Sequence, residues 1–201
     1  VIPACGTFFV FSDYMKPAVR LACLMELPVK YIWTHDAFRV GEDGPTHQPV
    51  EQEAQIRLME HIQNHHGENS MLVLRPADAT ETTVAWKMAL ENTKTPTALI
   101  LSRQNIKDLP AGNSDRYTEA LKSANGAYIV QGCKGKPDVI LIASGSEVST
   151  LVEGAALLKN DNIKVRIVSA PSEGLFRKKS EEYRKSVIPD GIPVFGLTAG
   201  L

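Results

Sequence analysis

Short apolar runs rich in β-branched residues recur along this chain, separated by stretches in which apolar residues return every three or four positions. The runs are Lys30–Thr34, Met71–Arg75, Thr97–Ser102, Ala127–Gln131, Asp138–Ala143, Lys164–Ser169 and Pro193–Leu197. Most are continuous rather than alternating, the pattern of strands covered on both faces. Such strands need helical layers above and below, and the intervening segments supply them. Ala18, Leu21, Ala22 and Met25, and again Val148, Leu151, Val152 and Ala155, fall at the i, i+3, i+4, i+7 spacing of one apolar stripe. Val50, Ala54, Leu58 and Ile62 repeat every four residues after Pro49, whose fixed φ suits a first helical turn. Asp78 with Glu81 reads as a capping box opening a helix through Trp86 and Leu90. The rhythm predicts an α/β chain of two mostly parallel-sheet units.

The polar stretch Asn105–Asn125, with Pro110, Gly112, Asn113 and Ser114, interrupts the rhythm and reads as a linker. The expected division is 1–110, a linker over 111–125, and a second unit over 126–201 that stops directly after a strand and looks truncated.

Composition narrows the function classes. The chain is 43% hydrophobic and 22% charged with a formal net charge of −1, so no global field favours nucleic acid or an anionic membrane. No segment approaches the roughly 20 continuous apolar residues that span a bilayer. Cys5, Cys23 and Cys133 are an odd number without metal-ligand spacing, which suits reduced thiols in the cytoplasm. The start has neither a secretory signal nor an initiator methionine, and is expected to be that of a processed or cut piece.

In open α/β sheets, ligands bind beyond the carboxyl ends of strands, where loops converge. Three loops qualify: Thr34-His35-Asp36, the Gly/Pro-rich run from Gly41 to Pro49, and Ser102-Arg103-Gln104-Asn105. His35, Asp43, His47 and Arg103 can therefore meet at one rim. Each also has a plain structural reading. Arg103 could clamp a phosphate or make an ion pair, His35 could bond a carbonyl, Asp43 before Gly44 is common turn chemistry, and His47 lies just ahead of a helix. Phe8, Phe11 and Tyr14, three apart, would share one side of a helical turn, either as a stacking surface or as core.

Taken together, Gly6-Thr-Phe-Phe-Val-Phe-Ser-Asp-Tyr14, Thr34-His-Asp36, Gly41-Glu-Asp-Gly-Pro-Thr-His-Gln-Pro-Val-Glu51, Leu74-Arg-Pro-Ala-Asp78, Ser102-Arg-Gln-Asn105 and Ala143-Ser-Gly-Ser-Glu147 closely resemble the bacterial transketolase family. The resemblance runs through essentially the whole chain, in order and spacing. It implies a pyrimidine-binding domain lacking its amino-terminal part, followed by the first part of a carboxy-terminal domain.

Transketolases are homodimers that use thiamine diphosphate and a divalent metal, Mg2+ or Ca2+, to move a two-carbon ketol unit from a ketose phosphate such as xylulose 5-phosphate to an aldose phosphate in the pentose phosphate pathway. The resemblance assigns Phe8, Phe11 and Tyr14 to the pocket around the cofactor's aminopyrimidine. It assigns His35 and Arg103 to the sugar phosphate, Asp43 to the hydroxyl beside the donor carbonyl, and His47 to hydrogen bonding or proton relay near that carbonyl, the one catalytic role. No residue is assigned to the metal.

The family's activating glutamate and its diphosphate-binding domain, which holds the metal and comes from a second chain, find no counterpart here. Glu42-Asp43-Gly44 does not open the family's metal motif. The isolated chain is therefore expected to be inactive. A partner-dependent subunit of a split enzyme and a non-catalytic assembly module are the alternative expectations. His61, His65 and His66 read as a polar helix end, and Gly174 as a residue that loosens a helix start.

Overall fold

The computed structural model describes residues 1–199 except Arg39 and Asn113. Asn113, read above as part of the linker, and Leu201, read as the end of a truncated unit, lie outside the described residues.

The chain divides into two compact units. The first takes residues 1–75 and 85–105, and the second residues 76–84 and 106–198, with 199 returning to the first. In the first unit the strands are β1 (Ala4–Phe8), β2 (Lys30–Thr34), β3 (Leu72–Leu74) and β4 (Thr97–Ile100). They form a fully parallel sheet in the order β1-β2-β4-β3. Trp33, Val73, Ala98, Leu99 and Ile100 have no exposed surface, which is why their runs carry no polar alternation. β1 is the strand that the apolar pattern does not predict. Its Ala-Cys-Gly-Thr start lies at a sheet edge and stays exposed, so nothing there requires a hydrophobic run.

Two helices cover this sheet with faces rotated from those predicted, the first keeping only Ala22 of its expected stripe in the core. In α1 (Ser12–Leu24) the core-facing residues are Val19, Ala22 and Cys23, whereas Ala18, Leu21 and Met25 point outward, Leu21 at 57% exposure. In α2 (Gln52–His61) Ile56 enters the core, while Leu58 and Ile62 are exposed. Both helices carry apolar residues around much of their circumference. The spacing rule found a stripe, and the sheet selected a neighbouring one.

The start of α3 (Ala79–Glu91) is a modified capping box. Asp78 Oδ1 accepts from the Glu81 N–H at 2.7 Å, and Glu81 reaches back one residue further than the usual box, to the Ala77 N–H at 2.9 Å. Ala85 and Ala89 then pack on Leu74 and Leu99. Beyond the helix end, the buried Lys30 ammonium donates to the Asn92 carbonyl, placing a cation where the dipole is negative.

The second unit contains α4 (Arg116–Ala120), β5 (Tyr128–Gln131), β6 (Val139–Ala143), α5 (Glu147–Asn160), β7 (Val165–Ser169), α6 (Glu173–Arg177), α7 (Glu181–Val187) and β8 (Val194–Gly196). The sheet order is β5-β7-β6-β8, parallel except for β5, which runs antiparallel to β7. The predicted α5 stripe holds. Val148, Leu151 and Ala155 are buried and Val152 packs against them. The segment read as a linker contains α4 and a 3-10 turn over Leu121–Asn125. Its Arg116 Nε pairs with Asp78 at 2.6 Å, and Tyr128 donates to Glu81 at 2.6 Å, so a buried polar network fixes it in place. Gly174 is buried within α6.

Among the described residues no helix is long and apolar enough to cross a membrane.

Candidate functional site

Strand order in the first unit brings the candidate residues together. β1, β2 and β4 are neighbours and run parallel, so the residues just past their carboxyl ends emerge side by side. Phe8 closes β1 opposite Thr34, His35 follows β2, and Arg103 lies shortly after β4. His35 has φ +61°, a left-handed conformation that costs a residue bearing a Cβ about 1–2 kcal/mol. That turn lays its imidazole flat on Phe8, ring centroids 3.6 Å apart at 23°.

Phe8, Phe11 and Tyr14 form a row, though not on a single helix as their spacing predicts. Phe8 ends a strand, Phe9–Phe11 make a 3-10 turn, and Tyr14 lies in the first turn of α1. Centroids are 6.0 Å apart from Phe8 to Phe11 and 6.1 Å from Phe11 to Tyr14. Phe9 turns the other way, onto Trp33 in the core. Tyr14, 84% exposed, leaves the outer end of the row open. His47 meets this row edge-on, 5.3 Å from Phe11 at 75° and 5.9 Å from Phe8.

The loop from Gly41 to Pro49 owes its path to two glycines. Gly41 and Gly44 have φ of +81° and +78°, which a Cβ would strain. Pro45 then starts a 3-10 turn that ends at His47, whose N–H donates to the Gly44 carbonyl at 3.1 Å. Gln48 Nε2 donates to the Ala37 carbonyl at 2.7 Å and Gln104 Nε2 to Phe38 at 3.3 Å, tying together the loops after β2 and β4.

Asp43 Oδ2 faces Arg103 Nε at 2.9 Å and His35 Nε2 at 3.9 Å. Thr34 Oγ1 is 3.0 Å from His35 Nδ1, and Thr46 Oγ1 is 2.9 Å from His47 Nδ1. The Asp43 carboxylate beside Nε2 favours a proton there, in which tautomer Nδ1 is the acceptor for the Thr34 hydroxyl. Burial holds the His35 pKa below its ordinary value. Asp43 opposes this, and Arg103 and His47 add to it.

Sequence reasoning did not anticipate what lies behind His35. Asp36, 1% exposed, takes Arg75 Nη2 at 2.8 Å. Arg75 also approaches Glu53 at 3.5 Å, and Arg57 joins Glu53 at 2.9 Å and Glu60 at 3.3 Å. A line of buried charge thus runs from the floor of the rim into α2. Asp36 and Arg75 both stood in the motifs quoted above, but their pairing spans 39 positions and leaves no local periodicity.

All the candidate residues therefore converge at one sheet end. The rim offers a guanidinium, two imidazoles and a carboxylate beside a wall of aromatic faces.

Residues 1–108 match the family model of the transketolase pyrimidine-binding domain. This chain belongs to the transketolase family. Residues 126–201 match the model of the transketolase-like carboxy-terminal domain. A Bacillus subtilis transketolase is 49% identical over 185 residues, 92% of this chain and 26% of that protein. The transketolase of Leishmania mexicana has a TM-score of 0.86 at 41% identity, covering 100% of this chain and 28% of its own. A transketolase variant of Pichia stipitis has a TM-score of 0.83 at 40% identity, covering 97% and 26%. The transketolase-family segment described here thus spans about a quarter of the length of the relatives it matches. Among its described residues no three His, Cys, Asp or Glu side chains cluster as a metal ion would require.

Proposed function

We propose that this chain supplies the cofactor-ring wall and the sugar-phosphate rim of a cytoplasmic transketolase, acting on ketose and aldose phosphates in the pentose phosphate pathway. In this reading residues 1–110 are the pyrimidine-binding domain, 111–125 a connecting segment and 126–201 part of the carboxy-terminal domain. The observation that carries it is the junction at Phe8, whose ring stacks on His35 while the row of Phe8, Phe11 and Tyr14 extends away from the rim.

The exposed end of that row fits a flat heterocycle, which gains area burial and offset stacking from Phe11 and Tyr14. Thiamine diphosphate, when bound, supplies the carbon nucleophile and electron sink for ketol transfer. The residues of this chain do the rest of the positioning. Arg103 and His35 grip the substrate phosphate and so fix the distance of the reacting carbon. Asp43 accepts the hydroxyl beside the donor carbonyl. His47, with Thr46 at its Nδ1, presents Nε2 to donate a hydrogen bond or relay a proton as charge develops on that oxygen. The divalent metal is assigned no ligand here. A diphosphate-binding domain from a second chain of a homodimer completes the site.

A chimera tests the reading, with this chain replacing the matching quarter of the Bacillus subtilis transketolase. The chimera transfers ketol units from xylulose 5-phosphate to ribose 5-phosphate. His47→Ala in it lowers kcat by about a hundredfold or more, and Arg103→Met raises KM. A folded, dimeric chimera without activity, or one indifferent to both substitutions, would refute the reading.

A further inference from the structure

Asp43 and Arg103 are each other's partners before any substrate arrives. Arg103 Nε lies 2.9 Å from Asp43 Oδ2, yet its N–H axis misses the oxygen, which is screened from solvent without a directed hydrogen bond among the described residues. The contact is an ion pair of poor directionality. Arg103 is 44% exposed, so the pair is a weak one. Its guanidinium lies over Gly41, where a built Cβ would come within 3.6 Å of Nη1.

This arrangement conflicts with the two recognition tasks in the proposed function, on which the inference rests. Arg103 cannot offer the full fork of donors to a phosphate while Asp43 occupies its Nε edge. With Oδ2 turned toward the guanidinium, Asp43 has only Oδ1 to offer a sugar hydroxyl and cannot reorient to meet it. One event resolves both. We propose that the Asp43–Arg103 pair is a latch: a substrate phosphate displaces the Asp43 carboxylate from Arg103, and the freed carboxylate then accepts the hydroxyl at the other end of the same sugar.

The exchange is favourable because a phosphate monoester carries nearly two negative charges and three acceptor oxygens at neutral pH, against one charge and a misaligned oxygen on Asp43. His35 takes part in it, since its Nε2 faces the same Oδ2 at 3.9 Å. The latch makes hydroxyl reading conditional on the phosphate. An unphosphorylated sugar forfeits two contacts rather than one, and Asp43 becomes a determinant of phosphate selectivity although it never touches the phosphate.

Binding of inorganic phosphate to the 201-residue chain, followed by NMR and calorimetry at low salt, tests this. Asp43→Asn frees Arg103 and tightens phosphate binding roughly three- to fivefold, the strength of an exposed ion pair. Glu42→Gln, which removes the adjacent exposed carboxylate, changes affinity less than twofold. The Arg103 Nε–H resonance of the unmodified chain shifts on titration with phosphate, and in Asp43→Asn it is already displaced from its position in the unmodified chain before phosphate is added. Equal or weaker binding in Asp43→Asn, or an equal gain in Glu42→Gln, overturns the latch while leaving Arg103 as the phosphate clamp, provided Arg103→Met abolishes binding. Phosphate binding that Arg103→Met does not change, or no binding in either the unmodified or the Asp43→Asn chain, overturns the clamp and the latch with it.

Discussion

Replacing Arg75 with methionine removes the guanidinium that stands between Asp36 and Glu53, at 2.8 and 3.5 Å. Both Asp36 and Arg75 are 1% exposed, so water cannot take over the lost role. Glu53 keeps Arg57 at 2.9 Å, and the burden falls on Asp36. Staying ionised without its partner costs about 3–5 kcal/mol. Taking up a proton instead costs about 4 kcal/mol at pH 7, for an ordinary aspartate pKa near 3.9 at 1.36 kcal/mol per unit. The lesser cost governs, and the expected loss is about 3–4 kcal/mol. Burial already raises the Asp36 pKa despite the opposing pull of Arg75, and the substitution raises it further. A carboxyl with a folded pKa above its unfolded value binds more protons in the folded state, so lowering the pH restores stability. The deficit therefore shrinks as the pH falls from 7 toward 5, by at most about 1.4 kcal/mol per unit, the limit for one proton. Urea unfolding followed by tryptophan emission isolates the effect, because the two tryptophans, Trp33 and Trp86, both lie in the first unit. A loss under about 1 kcal/mol at pH 7, or one that is the same at pH 5, would refute the account of a compensated buried pair.

Gly126→Ala places a Cβ 2.2 Å from Phe176 N and 2.4 Å from the Ser172 carbonyl at φ +86°, and neither backbone can yield, so hydrogen exchange across β5 and β7 collapses to that of an unfolded segment. Gly154→Ala meets nothing within 4 Å in the middle of α5 and raises second-unit stability by about 0.5–1 kcal/mol in urea. Burial depresses the His35 pKa, so its imidazole charges, by NMR titration, only below the ordinary histidine value. Asp43→Asn removes the opposing pull and lowers it further. Because the unfolded chain protonates this histidine first, acidification below about pH 6.5 erodes first-unit stability through His35, and His35→Gln removes that component.

Legibility varied with how local the deciding interaction was. β2 matches its run residue for residue, because a strand with both faces buried announces itself in five consecutive positions. The α5 stripe was equally readable, since Val148, Leu151 and Ala155 are the apolar residues the sheet buries and they fall at one helical spacing, although Leu157 stays exposed on the other side. For α1 and α2 the apolar residues outnumber what one face can hold, and the burial of Gln52, Arg57 and Glu60 in α2 runs against any hydrophobicity rule. Those positions are tolerable because Arg57 pairs with Glu53 and Glu60 within the helix and Gln52 donates to Asp13 of α1, partners that hydrophobicity does not register. The 111–125 segment looked like a tether because its anchoring residue, Arg116, finds its partners at Asp78 and Glu81, 38 and 35 positions away.

The sequence by itself determined that the chain is α/β, that its loops carry His35, Asp43, His47 and Arg103, and that Gly41 and Gly44 bend the loop holding Asp43 and His47. Periodicity and turn chemistry act over a few residues and survive without a fold. Tertiary structure alone decided that Phe8 lies flat on His35, that Asp43 faces Arg103, and that Asp36 rests on Arg75 beneath them. Those contacts depend on the order β1-β2-β4-β3, and strand order is settled by which faces bury best against one another across the sheet, a property of the packed whole that no single stretch encodes.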